Sequence, residues 1–154
     1  MKKQLLLCCC LLVLISISIA QSNQKQTAKP FTPPIKQLLT GSGLPYRMVN
    51  DSLAVIPYGG ENIESYQVLI QKVSDLYIIY TNLSKSLPAK LTEAQYKYLL
   101  QRNDEFDVIK IGLADDGTFY LRADLYRSIA TNAILKRIVN QVANVANIIA
   151  GNLK

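Results

Sequence analysis

The sequence predicts an α+β fold, an antiparallel β-sheet built from three hairpins with helices packed on it. Three observations predict it. Short runs of apolar and β-branched residues come in pairs joined by tight turns. A helical period replaces that pattern before the first pair, between the second and third, and after the third. Strands and helices do not alternate one for one, so a doubly wound parallel sheet does not fit.

Thr32-Pro33-Pro34 opens the first helix. Thr32 is placed to cap it, and Pro33 suits the first helical position, where a missing N–H costs nothing. Ile35, Leu38 and Leu39 share one face, and Gly41 is expected to end the helix. Gly41-Ser42-Gly43 follows a helix, whereas phosphate cradles precede one, so it reads as a stop. The first hairpin joins Tyr46–Val49 to Ser52–Tyr58. A turn at Asn50-Asp51 pairs Met48 with Leu53 and Tyr46 with Val55, and puts all four on one face. The second joins Tyr66–Val73 to Leu76–Thr81 around Ser74-Asp75. Val68, Ile70 and Ile79 then share one face and Leu69, Val73, Leu76 and Ile78 the other, so both sides are expected to be covered.

A helix follows over Leu91–Asn103, with Thr92 and Gln95 as a capping box, Leu91 set to staple onto Tyr96, and Asn103 as the stop. The third hairpin joins Phe106–Leu113 to Phe119–Tyr126. A two-residue turn at Asp116-Gly117 would set Ile111 against Arg122. A three-residue loop, Asp115-Asp116-Gly117, sets Leu113 against Phe119, Ile111 against Leu121 and Ile109 against Ala123. Core then meets core, with Gly117 in the left-handed position. Lys110 falls beside Arg122, and Asp124, beside Val108, balances them diagonally. The last helix, Thr131 to Ala150, carries Ile134, Leu135, Ile138, Val139, Val142, Val145, Ala146 and Ile149 at helical spacing, with Lys136, Arg137, Asn140, Asn144 and Asn147 on its other side.

The chain has 154 residues, 49% of them hydrophobic and 18% charged, a globular composition for one domain. Residues 1–20 read as a secretory signal peptide. Lys2 and Lys3 lead an apolar run from Leu5 to Ile17, and Ser18-Ile19-Ala20 supplies small residues at the cut site. A retained anchor needs roughly 18 or more apolar residues, and Cys8 follows Leu5-Leu6-Leu7, too early and too bulky a context for a lipoprotein. Residues 21–31 read as a flexible leader, and residues 32–154 as a single domain. The expected location is periplasmic or extracellular. Cleavage leaves no cysteine and no disulfide framework, because Cys8, Cys9 and Cys10 are the only three. It leaves 15 basic and 11 acidic residues, a net charge of +4. That mild excess, with no cationic cluster among aromatics, argues against nucleic acid as a partner.

The element order, over roughly Ile35 to Ile149, resembles the type III secretion chaperone-like fold and in particular the YbjN-like family. The most specific part is Leu99-Leu100-Gln101-Arg102-Asn103, a strand into Asp115-Asp116-Gly117, Phe119-Tyr120-Leu121-Arg122-Ala123-Asp124-Leu125, and the long terminal helix. The resemblance implies an α+β domain, often dimeric, that binds proteins and has no established catalytic residues, so it transfers no site. An export signal departs from secretion chaperones, which act in the cytoplasm.

The absence of histidine, and of cysteine after cleavage, excludes the catalytic triads and zinc sites built on them. Carboxylates remain. Asp115 and Asp116 read as turn formers beside Gly117 in preference to an acid/base pair or a calcium site, which wants six to eight oxygens. Asp104, Glu105 and Asp107 read as a solvated edge. Asn82-Leu83-Ser84 matches a glycosylation sequon by chance. Nine tyrosines are the unusual feature, since tyrosine suits interfaces as well as strands. Tyr120, Arg122, Asp124 and Tyr126 share the face away from Leu121 and form the candidate protein-binding face. The terminal helix has too few cations, Lys136, Arg137 and Lys154, for a membrane-surface helix, and no stable membrane anchor is expected after cleavage.

These readings add up to a non-enzymatic, exported protein-binding module with a chaperone-like or regulatory role and a homodimeric assembly, its protein partner unnamed. No catalytic residue, cofactor or metal is assigned. A small-ligand sensor, with a cavity between the terminal helix and the sheet, is the alternative. A carboxylate-based enzyme acting on glycans stands third.

Overall fold

The computed structural model describes residues 32–88 and 90–153; the signal segment and the leader lie outside them. Helix α1 (Ile35–Ser42) leads into β1 (Arg47–Asn50), β2 (Leu53–Tyr58), β3 (Tyr66–Val73) and β4 (Leu76–Asn82). Helix α2 (Glu93–Glu105) precedes β5 (Lys110–Leu113) and β6 (Phe119–Tyr126), and a 3₁₀ turn (Arg127–Ile129) connects to α3 (Asn132–Leu153). The three hairpins join in one six-stranded antiparallel sheet, order β1-β2-β3-β4-β6-β5. Among the described residues no helix is long and apolar enough to cross a membrane.

Side chains alternate across each strand, and one face of this sheet forms the core. Ala54, Ile56, Val68, Ile70, Tyr77, Ile79, Leu121, Ala123 and Leu125 point into it and are buried. Helix α3 answers them with Leu135, Val139, Val142, Ala146 and Ile149, each without solvent exposure. Ile35, Leu38 and Leu39 of α1 and Leu99 of α2 complete the same cluster.

The second and third hairpins have the expected registers. Val73 faces Leu76 across Ser74-Asp75, with Ser74 at φ 51°. Leu113 faces Phe119, Ile111 faces Leu121, and Gly117 stands at φ 80°. The β5 ladder opens only at Lys110, so Ile109 is buried without a rung opposite Ala123. Helix α2 has the expected box: the Thr92 hydroxyl accepts from Gln95 N–H, and the Gln95 side chain accepts from Thr92 N–H at 2.9 Å.

Several expected boundaries shift, each for a local reason. Pro34, not Thr32, caps α1; Thr32 Oγ1 accepts instead from Arg127 Nη2 at 3.1 Å. Gly41 lies inside α1, and Gly43, at φ 72°, ends it. In the first hairpin the Asn50 carboxamide oxygen accepts from Ser52 N–H at 2.8 Å. The turn therefore moves to Asp51-Ser52, Asn50 faces Leu53, Met48 faces Ala54 and Arg47 faces Val55, with an irregularity between Met48 and Asn50. Met48 consequently shares the core side with Ala54, while Leu53 and Val55 turn away. Helix α2 continues past Asn103 to Glu105, and α3 runs on to Leu153 with Thr131 Oγ1 accepting from Ile134 N–H at 3.2 Å.

Tyrosines fasten the helices to the sheet. Tyr58 OH donates to Asn140 Oδ1 at 2.7 Å and Tyr66 OH to the Ala143 carbonyl at 2.8 Å, their rings 5.8 Å apart. Tyr77 OH donates to the Pro33 carbonyl, and Tyr46 OH bonds Thr40 Oγ1 at 2.8 Å. Asn140 and Asn147 of α3 thus serve the interior rim, since Asn147 Oδ1 accepts from Asn62 N–H at 2.9 Å.

Both sheet edges are guarded. Strand β1 has four residues and breaks register. On β5, the Ile111 N–H donates to Asn103 Oδ1 of α2 at 2.9 Å. A free edge amide would invite another strand, and this one is taken.

Two outcomes follow. Burial, with Tyr66 beside it, pushes the Tyr58 phenol from 10.0 up to about 12. The unfolded chain therefore ionises this group first, and its contribution is complete below about pH 10 and lost as pH rises to about 12. Urea unfolding should show Tyr58→Phe about 1 kcal/mol less stable at pH 7 yet losing less stability than wild type between pH 10 and 12. Asn103→Ala should cost about 1 kcal/mol and speed hydrogen exchange severalfold at the Ile111 amide.

Candidate protein-binding face

All three helices pack into the core side of the sheet, so its other face is left without a layer among the described residues. Strand alternation puts Leu53, Val55, Leu69, Leu76, Ile78, Tyr80, Tyr120, Arg122, Asp124 and Tyr126 there. Covering on both sides was expected from the apolar pattern of β3 and β4. Instead the apolar side chains of this face shelter one another: Leu53, Leu69, Leu76, Ile78 and Tyr80 are half-buried, and Val73 and Tyr126 are 41% and 59% exposed.

The four residues singled out from the sequence lie together on β6. The Tyr120 ring lies over Gly112, directly opposite on β5; a Cβ on Gly112 would come within 2.2 Å of Tyr120 Cζ. An aromatic ring covering a glycine on an edge strand restores packing that the missing side chain forfeits. Arg122 and Asp124 form a two-point pair, Nε to Oδ1 at 2.7 Å and Nη2 to Oδ2 at 3.1 Å. That bond holds the Arg122 guanidinium above its ordinary pKa. Lys110 stands opposite Arg122 as expected, but Asp124 balances Arg122 along its own strand. Both partners are about two-fifths exposed, so the pair adds little stability and serves chiefly to orient the guanidinium. Beside it lies an open hollow of about 600 Å³, walled by Asp107, Val108, Lys110, Tyr120, Arg122 and Asp124.

The nine tyrosines divide into roles that the sequence did not distinguish. Tyr46, Tyr58, Tyr66 and Tyr77 anchor helices or their entries; Tyr98 OH accepts from Asn152 Nδ2 at 2.7 Å, and Tyr96 leans on Phe119 at 5.9 Å. Tyr80, Tyr120 and Tyr126 face away from the core.

Two of the candidate acids, Asp116 and Glu105, are engaged locally. Asp116 Oδ1 accepts from Thr118 N–H at 2.9 Å, which holds its carboxyl below the usual range and marks it as a turn former. Glu105 pairs with Arg102 one turn away. Among the described residues no three of His, Cys, Asp and Glu gather to hold a metal ion. A cleft of about 270 Å³ lies beside α3, bounded by Glu105–Ile109 and by Gln141, Asn144 and Val145; it borders the α2–β5 link and not the helix–sheet interface.

No family model matches the chain, and no curated protein matches it. Among solved structures the chain is similar to one in the heterodimeric ExoU-SpcU complex from the type III secretion system of Pseudomonas aeruginosa. The two are 19% identical; the match covers 78% of this chain and 98% of that one, with a TM-score of 0.58. At that identity the likeness speaks for the fold. Among the described residues the architecture is α+β, with a single antiparallel sheet and three helices in the type III secretion chaperone-like arrangement.

Proposed function

We propose that the chain is a non-enzymatic protein-binding module of YbjN-like type, chaperone-like or regulatory in role, whose partner seats on the open sheet face. One observation carries the reading: a six-stranded sheet with its helices on one side and apolar and tyrosine side chains on the other. Exposed apolar patches on soluble proteins mark interaction sites. Residues 32–154 are the binding unit in this proposal. The apolar segment after Lys2 and Lys3 exports it and is cleaved, residues 21–31 form a flexible leader, and it works as a dimer in the periplasm or outside the cell.

The alternatives have weaker support. A ligand sensor calls for a cavity between α3 and the sheet, and the cleft beside α3 opens at its rim. A carboxylate enzyme calls for free acids facing each other, while Asp116 and Glu105 are occupied by Thr118 and Arg102.

A crosslinked pull-down of tagged protein from native cells, read by mass spectrometry, tests the proposal. Tyr126→Ala removes an exposed ring and should change stability by no more than about 0.5 kcal/mol. It should reduce capture of a reproducible partner severalfold, as should Arg122→Ala, while Lys136→Ala on the far side of the molecule should not. Capture that is indifferent to both face variants would overturn the proposal.

A further inference from the structure

The open face carries its charges in a set order. One cross-strand row runs Arg47, Val55, Leu69, Tyr80, Arg122, Lys110, each residue directly opposite the next. Cations close the row at both edges of the sheet, and apolar side chains fill its middle. Five inter-strand steps of about 4.8 Å set the ends about 24 Å apart. Asp124 is engaged by Arg122 through two bonds, and Asp107 borders the hollow beside Lys110. Three cations thus meet two carboxylates, both at the β5 end, and Arg47 stands at the opposite edge.

We infer that this face receives a protein segment with an apolar centre and carboxylates at its two ends, spaced to meet Arg47 on one side and Lys110 on the other. The inference rests on the reading of the open face as the binding surface. A second copy of the chain is the wrong occupant. A two-fold interface is self-complementary, so laying the row on itself sets Arg47 of each copy against the Lys110 end of the other, whose two cations and two carboxylates balance, and Arg47 gains no net counter-charge there. A dimer therefore uses another surface. An added edge strand is also the wrong occupant, because Asn103 holds the Ile111 amide and β1 breaks register. A nucleic acid binds through a continuous cationic track beside its stacking aromatics, whereas here the cations stand at the two edges and Leu53 and Leu69 would be left without a counterpart.

Selection of a phage-displayed random 16-residue library against the intact immobilised protein tests the inference. That length spans about 24 Å as a helix and more when extended. Enriched peptides should carry acidic ends around an apolar centre. The double variant R47E/K110E, altering exposed side chains, should bind them about tenfold more weakly and should itself enrich basic-ended peptides. Q71W, a bulky neutral change at an exposed position on the same face, should block both sets. Peptides blocked by Q71W but indifferent to charge reversal would overturn this inference and leave the binding face standing. Peptides indifferent to both variants, or no enrichment at all, would overturn both. A wild-type dimer in light scattering that Q71W dissociates would give the face to a second copy. Binding of a single-stranded DNA 20-mer more tightly than the best peptide would give it to nucleic acid. Either result would overturn the inference.

Discussion

The apolar stripe of α3 lies along the core side of β3, β4 and β6, and the other contacts are arranged around that one packing. Leu135, Val139, Val142, Ala146 and Ile149 are fully buried, and full burial of a large aliphatic side chain contributes about 1.5–3 kcal/mol. Ala143, Ala146 and Ala150 keep the stripe narrow enough for a close approach. Helix α1 packs on α3 in turn, and Gly41 is bare because a Cβ there would strike the Asn132 side chain. The phenols of Tyr58 and Tyr66 then set the axial position of α3, since each finds its acceptor on a particular turn of that helix. With one helix layer committed to one side, the other side of the sheet carries no layer among the described residues.

That division explains which features were legible in the residue order. The Ser74-Asp75 and Asp115-Asp116-Gly117 turns were readable because only one register sets core against core. The first hairpin was not. Strand β1 is short, and the choice between two registers was made by a side chain, when Asn50 reached the Ser52 amide. The stop of α2 was misplaced for a similar reason. Asn103 is a plausible helix end by type, yet its carboxamide is spent on a strand eight residues later.

The candidate face was legible in part. Parity along β6 assembled Tyr120, Arg122, Asp124 and Tyr126 correctly on the side away from Leu121. Parity along β3 and β4 was equally clear but suggested covering on both sides, because Leu69, Ile78 and Leu76 look like core residues in composition. Alternation reports which side chains share a face; it does not report whether a helix lies over that face. The long row from Arg47 to Lys110 depends on the pairing of β4 with β6 across the α2–β5 excursion. No local pattern encodes that pairing, so the order of charges along the row emerged only with the sheet assembled.

The alternation in the strands also separates two kinds of inheritance. In β4, Tyr77, Ile79 and Thr81 hold the protein together, while Leu76, Ile78 and Tyr80 between them meet the outside. The same interleaving recurs in β6, where Leu121, Ala123 and Leu125 alternate with the Tyr120–Tyr126 set. Substitution at the half-buried outward positions disturbs less packing than at the fully buried inward ones, so the chemistry of the open face can change while the inward positions stay under structural constraint.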